Sequence, residues 1–509
     1  MPDLMRDRPA TTPRRGLGEL VQAAGATARS GAEGPEVEVT GIALGSRQVV
    51  PGDAFAALPG ARAHGARFVG DAAAAGAVAV ITDAEGAALV AADPRAADLP
   101  VVVLDDPRGD LGRLSAELYD HPTRAFTTLG VTGTQGKTTT TYLGESAAGQ
   151  PAAVVGTIGT RILGRPVASS LTTPEAPQLQ ALFAVMREEG VRTCAMEVSS
   201  HALVKHRVDG FAFDVGVFLN LGRDHLDFHR DLEDYFNAKA QLFTPAHARR
   251  GVVNVDDAFG RRLATESDVP VTTFSTDGAA ADWRAVNIRS HRLGSELQLV
   301  APDGSAVDVT VPLPGAFNVS NAVAVLVALA GEGRDLVELA TGLAASPGVP
   351  GRMEHVEAGQ DFTVVVDYAH KPDAVTAVLR ALRPVTPGRL IVVIGAGGDR
   401  DTGKRPVMGS VAGELADLLV VTDDNPRSED PARIRREVLE GTRGTIAETI
   451  EIGDRRAAIA HAVAIAQRGD TVVVAGKGHE SGQEIAGVVH PFDDRDVVRD
   501  ALEGRMSAS

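Results

Sequence analysis

The chain has 509 residues, of which 44% are hydrophobic and 23% charged, and its formal net charge is -17 at pH 7. This length predicts several hydrophobic cores, and the acidic balance argues against a nucleic-acid or anionic-membrane binder, which needs a broad basic surface. The single cysteine, Cys194, excludes an intramolecular disulfide and a multi-cysteine zinc site, and its apolar surroundings predict a buried small side chain.

Residues 1–15 contain charges and prolines but no apolar core segment, so they are predicted to be a disordered leader and not a signal peptide. Residues 16–125 alternate short apolar runs with alanine-rich stretches, which predicts a small N-terminal α/β domain. Its predicted strands are Val37–Ile42, Ala54–Leu58, Val78–Ile81 and Leu99–Leu104. The apolar run at residues 72–82 is too short to span a bilayer, and we expect a cytoplasmic protein without membrane insertion.

Residues 127–141 read as a strand, a glycine-rich turn and a helix start, which is the arrangement of a nucleotide phosphate cradle. In such a cradle Lys137 can place its ammonium against the outer phosphates, and Thr138 can offer a hydroxyl to Mg²⁺. The strict P-loop pattern is not met, because Val131 stands where its first glycine is required. The prediction of a phosphate site therefore depends on the strand-turn-helix context.

The central domain is predicted to span residues 126–348 as a P-loop-type ATPase domain with a mostly parallel sheet, because strands and helices alternate. Its further strands are predicted at Val191–Val198, Asp214–Asn220 and Gly251–Asn254. Toward its end, Leu297–Val311 looks antiparallel and Ala322–Gly331 helical.

A linker rich in proline and glycine, residues 346–351, precedes a third domain at residues 349–509, whose element order is Rossmann-like. Its strands are predicted at Thr363–Asp367, Leu390–Gly395, Leu418–Thr422 and Thr471–Ala475. Its helices are predicted at Asp373–Leu382, Pro431–Thr442 and Arg455–Arg468. The ligands of such sheets bind beyond the carboxyl ends of the strands, where this domain has polar loops.

In the central domain, polar residues follow apolar strands where folding alone does not require them. Glu197 ends one such run and can reach a cation at the phosphate loop, and residues 220–229 combine histidines with aspartates, a pattern that suits a divalent metal or phosphate. Lys239 lies on the apolar face of a helix predicted at residues 234–243. Two interpretations stay open for this lysine: a stem that keeps its amine in water, or an amine of lowered pKa that can react with CO₂ to form a carbamate.

Four loops of the third domain carry glycines, arginines and carboxylates: residues 367–371, 395–401, 423–427 and 476–480. Arg400 and Arg427 are planar forks suited to a carboxylate, whereas Asn425 and Glu480 are available for an ammonium. An amino-acid zwitterion makes both demands, so an amino-acid pocket is predicted.

The whole array resembles the Mur ligases, the ATP-dependent amide-forming enzymes of peptidoglycan precursor synthesis, from about Gly41 onward. The phosphate loop of that family matches Gly133, Thr134, Gln135, Gly136, Lys137, Thr138 and Thr139, although Gln135 stands where asparagine is usual. The resemblance explains why the strict P-loop spacing fails.

The resemblance implies roles for further residues. ATP would be bound in part by Asn254, Asn318 and Arg352. Mg²⁺ would lie near Thr138, Glu197, His225 and a carbamylated Lys239. The catalytic residues would be Lys137, Lys239 and His225. The muramoyl dipeptide of the substrate would be bound by Thr172, Thr173, Ser199, Lys205 and Arg207, with Lys205 in place of a familiar glutamine. The uridine nucleotide of the same substrate would be bound by Leu44 and Ser46, with departures from the family at Gly45, Ala61 and Arg62. Diaminopimelate would be bound by Arg400, Asp424, Asn425, Pro426, Arg427, Gly476 and Glu480.

The resemblance implies a ligase, which we expect to be a monomer, that adds meso-2,6-diaminopimelate to the D-glutamyl γ-carboxylate of UDP-N-acetylmuramoyl-L-Ala-D-Glu. ATP would be the co-substrate and Mg²⁺ the cofactor, and an acyl phosphate the intermediate. The nearest alternative is the L-lysine-adding member of the family, against which residues 424–427, Asp-Asn-Pro-Arg, argue. A regulatory P-loop NTPase would not need the amino-acid pocket, and a folylpolyglutamate synthetase would not need Asp-Asn-Pro-Arg.

Overall fold

The structure is a computed structural model that describes residues 6–11, 13–30, 37–60, 62–167 and 171–508. The chain forms two compact units. The first comprises Met1–Phe274, Ala280–Asp282 and Val327–Arg334, and the second comprises Ser275–Ala279, Trp283–Leu326 and Asp335–Ser509. The three predicted domains and their boundaries stay a prediction.

The first unit begins with a small α/β fold whose central sheet has the order β2-β7-β6-β5-β4, with β4 to β7 parallel. Its strands are β1 Arg15–Gly16, β2 Ala28–Ser30, β3 Glu38–Val39, β4 Gly41–Ala43, β5 Asp53–Ala57, β6 Ala79–Thr82 and β7 Val101–Leu104. Its helices are α1 Leu17–Ala23, α2 Val69–Ala74, α3 Ala84–Ala91 and α4 Pro107–Leu118. Aspartate caps start two of them: Asp83 accepts from the amide of Gly86, and Asp106 accepts from the amide of Gly109.

A second sheet follows in the same unit, in the order β11-β10-β9-β12-β8-β13-β14-β15. Its strands are β8 Thr127–Thr132, β9 Ala152–Gly156, β10 Gly159–Ile162, β11 Arg165–Val167, β12 Thr193–Glu197, β13 Val215–Phe218, β14 Gly251–Asn254 and β15 Val271–Ser275. The accompanying helices are α5 Lys137–Ala148, α6 Ala176–Glu188, α7 Ser200–Val204, α8 Leu232–Ala240 and α9 Ala258–Glu266. Strands β9, β12, β8, β13, β14 and β15 are parallel, as the alternation of elements predicts.

The register of this sheet brings three strand ends together. Glu197 of β12 lies opposite Val131 of β8, and Phe218 of β13 lies opposite Thr132 of β8. The loops after these strands therefore meet at one edge of the sheet. The strands themselves are apolar and buried on both faces, including Cys194, whose thiol pKa burial raises to about 12.

The second unit contains an antiparallel meander, β16 Trp283–His291, β17 Gly294–Val300 and β18 Ala306–Val311. Its main sheet has the order β19-β20-β24-β21-β22-β23, parallel from β20 to β23. The remaining strands are β19 Glu354–His355, β20 Thr363–Asp367, β21 Leu390–Ile394, β22 Leu418–Val421, β23 Glu448–Glu451, β24 Thr471–Ala475 and the hairpin β25 Gly482–Ile485 and β26 Val488–Pro491. The helices that follow α9 along the chain are α10 Ala316–Gly331, α11 Leu336–Ala344, α12 Pro372–Leu382, α13 Lys404–Leu415, α14 Pro431–Gly441, α15 Arg455–Ile465 and α16 Asp494–Ala508.

The α/β fold class with mostly parallel sheets is confirmed, and most predicted elements lie within a few residues of the observed ones. The predictions do not contain β9, β10, β11 or β16, nor do they contain β1, β2, β15, β19, β23, β25 and β26. The first three are short and joined by tight turns, and β16 has an irregular register that interrupts the strand alternation. No helix in the described ranges is long and apolar enough to cross a membrane.

The predicted disordered leader falls partly on residues 1–5 and 12, which lie outside the described residues. The described part differs from the prediction, because Arg8 forms an ion pair with Asp53 of β5 at 2.8 Å. Asp53 is fully buried, and an unpaired buried carboxylate would be costly. The backbone amides of Ala10 and Thr11 also donate to Glu188 of α6.

Candidate active site

The phosphate loop joins β8 to α5, as predicted. Gly136 has φ 89°, a left-handed conformation that glycine adopts without strain, and it places the amino end of the twelve-residue helix α5 at the loop. Asn220 clamps the loop from beyond β13, because it accepts from the amide of Gln135 at 3.0 Å and donates to the carbonyl of Gln135 at 3.2 Å. A held glycine turn at a helix start is suited to bind an anion.

Two lysine amines donate hydrogen bonds to the same backbone oxygen of this loop. The Nζ of Lys137 donates to the carbonyl of Gly133 at 2.8 Å, and the Nζ of Lys239 donates to the same oxygen at 2.9 Å. Lys239 reaches it from the buried face of α8, with its Nζ 4.5 Å from the centre of the Tyr235 ring. Helix α8 is fixed at its start by Asp231, whose carboxylate accepts from the amide of Asp234.

Lys239 is 1% exposed, and no carboxylate of the described residues lies within ion-pair distance of its amine. Burial, together with the neighbouring charge of Lys137, holds the pKa of Lys239 well below its usual value, although Asp224 opposes this. The interpretation of a stem with its amine in water is therefore wrong. A neutral buried amine is the form that can add to CO₂.

Glu197 ends β12 beside the phosphate loop and is 1% exposed. Its two carboxylate oxygens accept from the backbone amide of Thr157 at 2.7 Å and from the hydroxyl of Thr157 at 3.2 Å. A carboxylate buried to this extent is not a surface group at a strand end. Thr157 was not predicted, since nothing in the sequence around it marks a site.

Four of the residues predicted to hold the muramoyl dipeptide form a connected network around Glu197: Thr172, Thr173, Ser199 and Arg207. Thr173 donates to the Glu197 carbonyl at 2.9 Å, and the hydroxyls of Thr172 and Thr157 are 3.1 Å apart. The amide of Ser199 lies 3.4 Å from the Thr173 hydroxyl. Arg207 donates to the Thr173 carbonyl at 3.3 Å and pairs with Glu175 at 2.7 Å, a partner that was not predicted.

The segment after β13 brings three histidines together with an aromatic ring. The ring centres of His201 and His225 are 4.9 Å apart, and those of His201 and Phe228 are 4.0 Å apart in a stacked arrangement. His225 has φ 52° and its Nε2 lies 3.4 Å from Asp224, while His229 is buried with its Nε2 2.9 Å from the Ser200 hydroxyl. His201 and His225 are both partly exposed, whereas His229 is buried within the fold.

Lys205 lies in this area too, with its Nζ 5.7 Å from the centre of the Phe228 ring, which is compatible with a weak cation–π contact. Its predicted substrate contact stays a prediction.

A separate cavity of about 670 Å³ lies in the amino-terminal part of the first unit. Leu44 and Ser46, the two residues predicted to bind the uridine nucleotide, both line it, and so do Arg47 and Arg108. Its volume suits a drug-sized or nucleoside-sized ligand, and its arginines suit phosphate groups. Ala61, one of the predicted departures, lies outside the described residues.

Of the residues predicted for the ATP side, Asn318 and Arg352 belong to the second unit. Asn318 is buried and its amide is used within the fold, because it donates to the carbonyl of Pro314 at 2.8 Å. Arg352 stacks over the Tyr368 ring at 4.3 Å and lies 3.3 Å from Nδ1 of His479. Burial and this arginine hold the pKa of His479 at about 4.

The predicted amino-acid pocket of the second unit is assembled from the loops after β22 and β24. Asn425 donates to Glu480 at 2.9 Å, so the amide and carboxylate predicted to hold an ammonium do lie together. Arg427 has φ 54°, donates to the carbonyl of Gly398 at 2.6 Å and lies 3.3 Å from Glu484. Its side chain keeps 24% exposure, so it remains open to a ligand.

The other predicted residues of this pocket occupy the same loops. Asp424 is buried, Gly476 has φ 119°, and Arg400 is exposed. Two fully buried cations lie among them that the sequence did not assign: Lys477 and Arg455. Lys477 stands within a predicted loop, whereas Arg455 stands at the start of a helix and gives no sequence signal.

Arg455 contacts the backbone of both pocket loops, the one after β22 and the one after β24. It pairs with the fully buried Asp494 of α16 at 2.7 Å, and it donates to the carbonyl of Ala475 at 3.0 Å and to that of Asp423 at 3.3 Å. These two carbonyls precede Gly476 and Asp424. The arginine therefore fixes the backbone of the pocket, not its ligand.

The described residues contain no group of three or more histidine, cysteine or acidic side chains placed to hold a metal by themselves. Mg²⁺ commonly takes only one or two carboxylates and fills the rest of its shell with water and phosphate oxygens. Glu197 has a buried carboxylate and Thr138 a hydroxyl at the start of α5, so this oxygen donor set fits Mg²⁺ shared with phosphates.

Comparison with known protein families covers most of the chain. The family described as Mur ligase middle domain matches residues 131–329, the glutamate ligase domain of Mur ligases matches residues 351–478, and the Mur ligase family catalytic domain matches residues 38–119.

Curated relatives match at nearly full length. The chain is 53% identical over 503 residues to a protein of Streptomyces coelicolor named UDP-N-acetylmuramoyl-L-alanyl-D-glutamate--2,6-diaminopimelate ligase, covering 97% of this chain and 98% of the relative. It is 50% identical over 486 residues to a protein of the same name from Corynebacterium glutamicum, covering 93% of each. A solved structure of a protein with this name is 36% identical, with a TM-score of 0.66, and covers 92% of this chain and 95% of that one.

Proposed function

The chain belongs to the Mur ligase family, and we propose that it joins meso-2,6-diaminopimelate to the D-glutamyl γ-carboxylate of UDP-N-acetylmuramoyl-L-Ala-D-Glu with cleavage of ATP to ADP. The observation that carries the proposal is the pairing of two kinds of site in one chain. The first unit has a glycine-rich loop with two amines on one oxygen, and the second has loops around Asp-Asn-Pro-Arg whose arginine, amide and carboxylate side chains suit an amino acid. A regulatory NTPase does not need a site for an amino acid.

A carboxylate does not condense with an amine in water, so the γ-carboxylate must first be activated. It attacks the γ-phosphorus of ATP, the bond between the β–γ bridging oxygen and the γ-phosphorus breaks, and ADP leaves with the formation of an acyl phosphate. Lys137 offsets the negative charge on the transferring phosphoryl group from its place at the start of α5. Thr138 and Glu197 would hold Mg²⁺, which would supply further compensation of the negative charge on the phosphates.

The neutral amine of diaminopimelate then attacks the acyl carbon, an amide bond forms, and inorganic phosphate leaves. The amine must lose a proton in this step, and in this proposal His225 accepts it; its partial exposure beside Asp224 supports that role. Thr172, Thr173, Ser199, Lys205 and Arg207 would hold the dipeptide, and Leu44 and Ser46 the uridine nucleotide. The amide of Thr157 and the loop from 197 to 199 keep this substrate site rigid.

Lys239 has a distinct role in this proposal. Its buried neutral amine adds to CO₂ and releases a proton, which produces a carbamate next to the phosphate loop. The product is an anion on a fixed stem, so it would contribute a negative oxygen ligand where Mg²⁺ and Lys137 are positive. The lowered pKa of Lys239 and the lack of a carboxylate partner among the described residues support this step.

Specificity for diaminopimelate would depend on its distal carboxylate, which L-lysine lacks. Arg427 can bind that carboxylate through two parallel hydrogen bonds, and Asn425 and Glu480 can bind the neighbouring ammonium. Arg400, Asp424, Pro426 and Gly476 would complete the pocket. We further propose that the enzyme acts as a monomer in the cytoplasm.

One assay tests the function. Purified protein with ATP, Mg²⁺ and UDP-N-acetylmuramoyl-L-Ala-D-Glu should release ADP when meso-diaminopimelate is added, and the tripeptide product should appear in equal amount. ADP release without any added amino acid would indicate a simple NTPase. Equal turnover with L-lysine would contradict the assigned specificity while leaving the ligase chemistry in place.

A further inference from the structure

Lys477 is the second residue after β24, and its side chain is fully buried. Its ammonium donates to Oδ1 of Asn425 at 3.0 Å and to Oε2 of Glu480 at 3.2 Å. It also lies 3.8 Å from Oδ1 of Asp424. The lysine therefore lies beneath three of the residues proposed to bind the amino acid.

Lys477 fixes how these residues face the ligand. Oδ1 of Asn425 accepts from Lys477 and from the amide of Glu484 at 3.0 Å, which leaves the Nδ2 of Asn425 to donate to Glu480 at 2.9 Å. With both ends of the Asn425 amide engaged, the carboxylate of Glu480 is held by two donors. Such a network orients a ligand better than side chains on a free loop do.

Lys477 also sets the charge of this part of the pocket. Asp424 and Glu480 contribute two carboxylates, and Oδ1 of Asp424 accepts no hydrogen bond from any residue that the structure describes. The distal end of diaminopimelate carries one carboxylate and one ammonium, whereas the distal end of L-lysine carries only an ammonium. Without Lys477 the two carboxylates would repel the ligand's carboxylate and favour a cation alone.

We propose that Lys477 is a positioning residue that determines amino-acid specificity, because its buried ammonium lets the pocket accept a zwitterionic end in preference to a cationic one. The proposal rests on the proposed function, since it concerns the amino acid that this ligase adds. Lys477 acts through Asn425, Glu480 and Asp424 and does not itself bind the substrate.

The test is a specificity ratio, defined as kcat/KM for meso-diaminopimelate divided by kcat/KM for L-lysine. Lys477→Met should lower this ratio by about tenfold or more, because an uncompensated carboxylate next to the ligand's carboxylate costs at least about 1.4 kcal/mol. The KM for ATP should change less than about twofold, since the nucleotide does not depend on the charge of this pocket.

A matched control is Arg389→Met. Arg389 is a cation of the same sheet, and it pairs with Asp470 at 2.7 Å at the amino ends of the strands, away from the loops of the pocket. Its loss should reduce stability and leave the specificity ratio unchanged. A fall of the ratio in both variants would mean that general loosening of the sheet, and not Lys477, controls specificity, which would overturn the proposal.

Asp424→Asn gives the opposite test in a protein that keeps Lys477, and it remains informative if Lys477→Met does not fold. Removing this carboxylate should raise the specificity ratio, and adding Lys477→Met to it should bring the ratio back toward that of the unmodified protein. A lowered ratio in Asp424→Asn, or an unchanged ratio in folded Lys477→Met, would overturn the proposal. If the unmodified protein releases no ADP with either amino acid, the proposed function itself fails, which is a distinct result.

Discussion

Two buried lysines, Lys239 in the first unit and Lys477 in the second, differ in the oxygen atoms around them. Lys239 faces the backbone carbonyl of Gly133 and shares it with another lysine, whereas Lys477 faces an amide oxygen and two carboxylates. Both side chains are at most 1% exposed. Burial alone therefore does not determine the environment of a lysine: the pKa of Lys239 is lowered where neutral oxygens accept from its amine, whereas Lys477 is paired with carboxylates.

The largest expected effect comes from the reactive amine. Lys239→Ala should lower kcat by about a thousandfold, because a ligand of the phosphate region is removed where charge develops in the transition state. Short carboxylic acids such as formate should restore part of the activity by standing in for the carbamate. The rate of diaminopimelate-dependent ADP release measures both.

Two controls separate the carbamate from the charge of the lysine. Lys239→Arg places a cation at this position but cannot form a carbamate, so it should be as inactive as the alanine variant, and formate should not restore Lys137→Ala. Full activity of Lys239→Ala without any additive would remove this lysine from the mechanism.

The next largest effect is on the free energy of unfolding, and it tests whether a buried cation of the second unit needs its carboxylate partner. Asp494→Asn leaves Arg455 charged and fully buried without its carboxylate, which should lower the free energy of unfolding by about 3–5 kcal/mol. Urea denaturation followed by circular dichroism measures this loss.

The same two helices, α15 and α16, offer a control pair. Arg456 and Asp500 are 3.1 Å apart but 57% and 66% exposed, so Asp500→Asn should cost less than about 1 kcal/mol. Equal losses of unfolding free energy in the two variants would show that a buried ion pair stabilises the protein no more than an exposed one.

A smaller effect is expected at Arg427, a cation of the same pocket that is partly exposed. Arg427→Lys keeps the charge but loses the planar fork, so kcat/KM for diaminopimelate should fall by about thirtyfold while the KM for ATP stays within about twofold. Arg433→Lys, on the exposed surface of α14 with its partner Glu437 at 3.0 Å, should change neither value. Equal losses for diaminopimelate and ATP would assign Arg427 a different role.

Local patterns made much of the fold predictable. The apolar runs Gly251–Asn254, Thr363–Asp367 and Thr471–Ala475 were predicted with the bounds that the structure has, because each is a short buried strand between turn residues. Strand β16 could not be predicted, since most of its residues are polar or exposed and its ladder contains an irregularity.

The sequence marked candidate site residues where a residue type is unusual for its place. Two examples indicate functional residues: a lysine on the apolar face of α8, and the Asp-Asn-Pro-Arg loop after β22. The sequence could not reveal that Lys137 and Lys239 share the Gly133 oxygen, that Thr157 holds Glu197, or that Arg455 reaches two loops. Such contacts join residues that are far apart in the chain, and only the folded backbone determines them.

The ion pair between Arg455 and Asp494 has a consequence for biosynthesis. Asp494 is the first residue of α16 and lies 39 residues after Arg455, yet its carboxylate completes the support beneath the loops after β22 and β24. A ribosome must therefore translate the chain as far as residue 494 before Arg455 can acquire its counter-ion. A nascent chain that stalls before residue 494 would carry the complete phosphate loop without a finished amino-acid pocket.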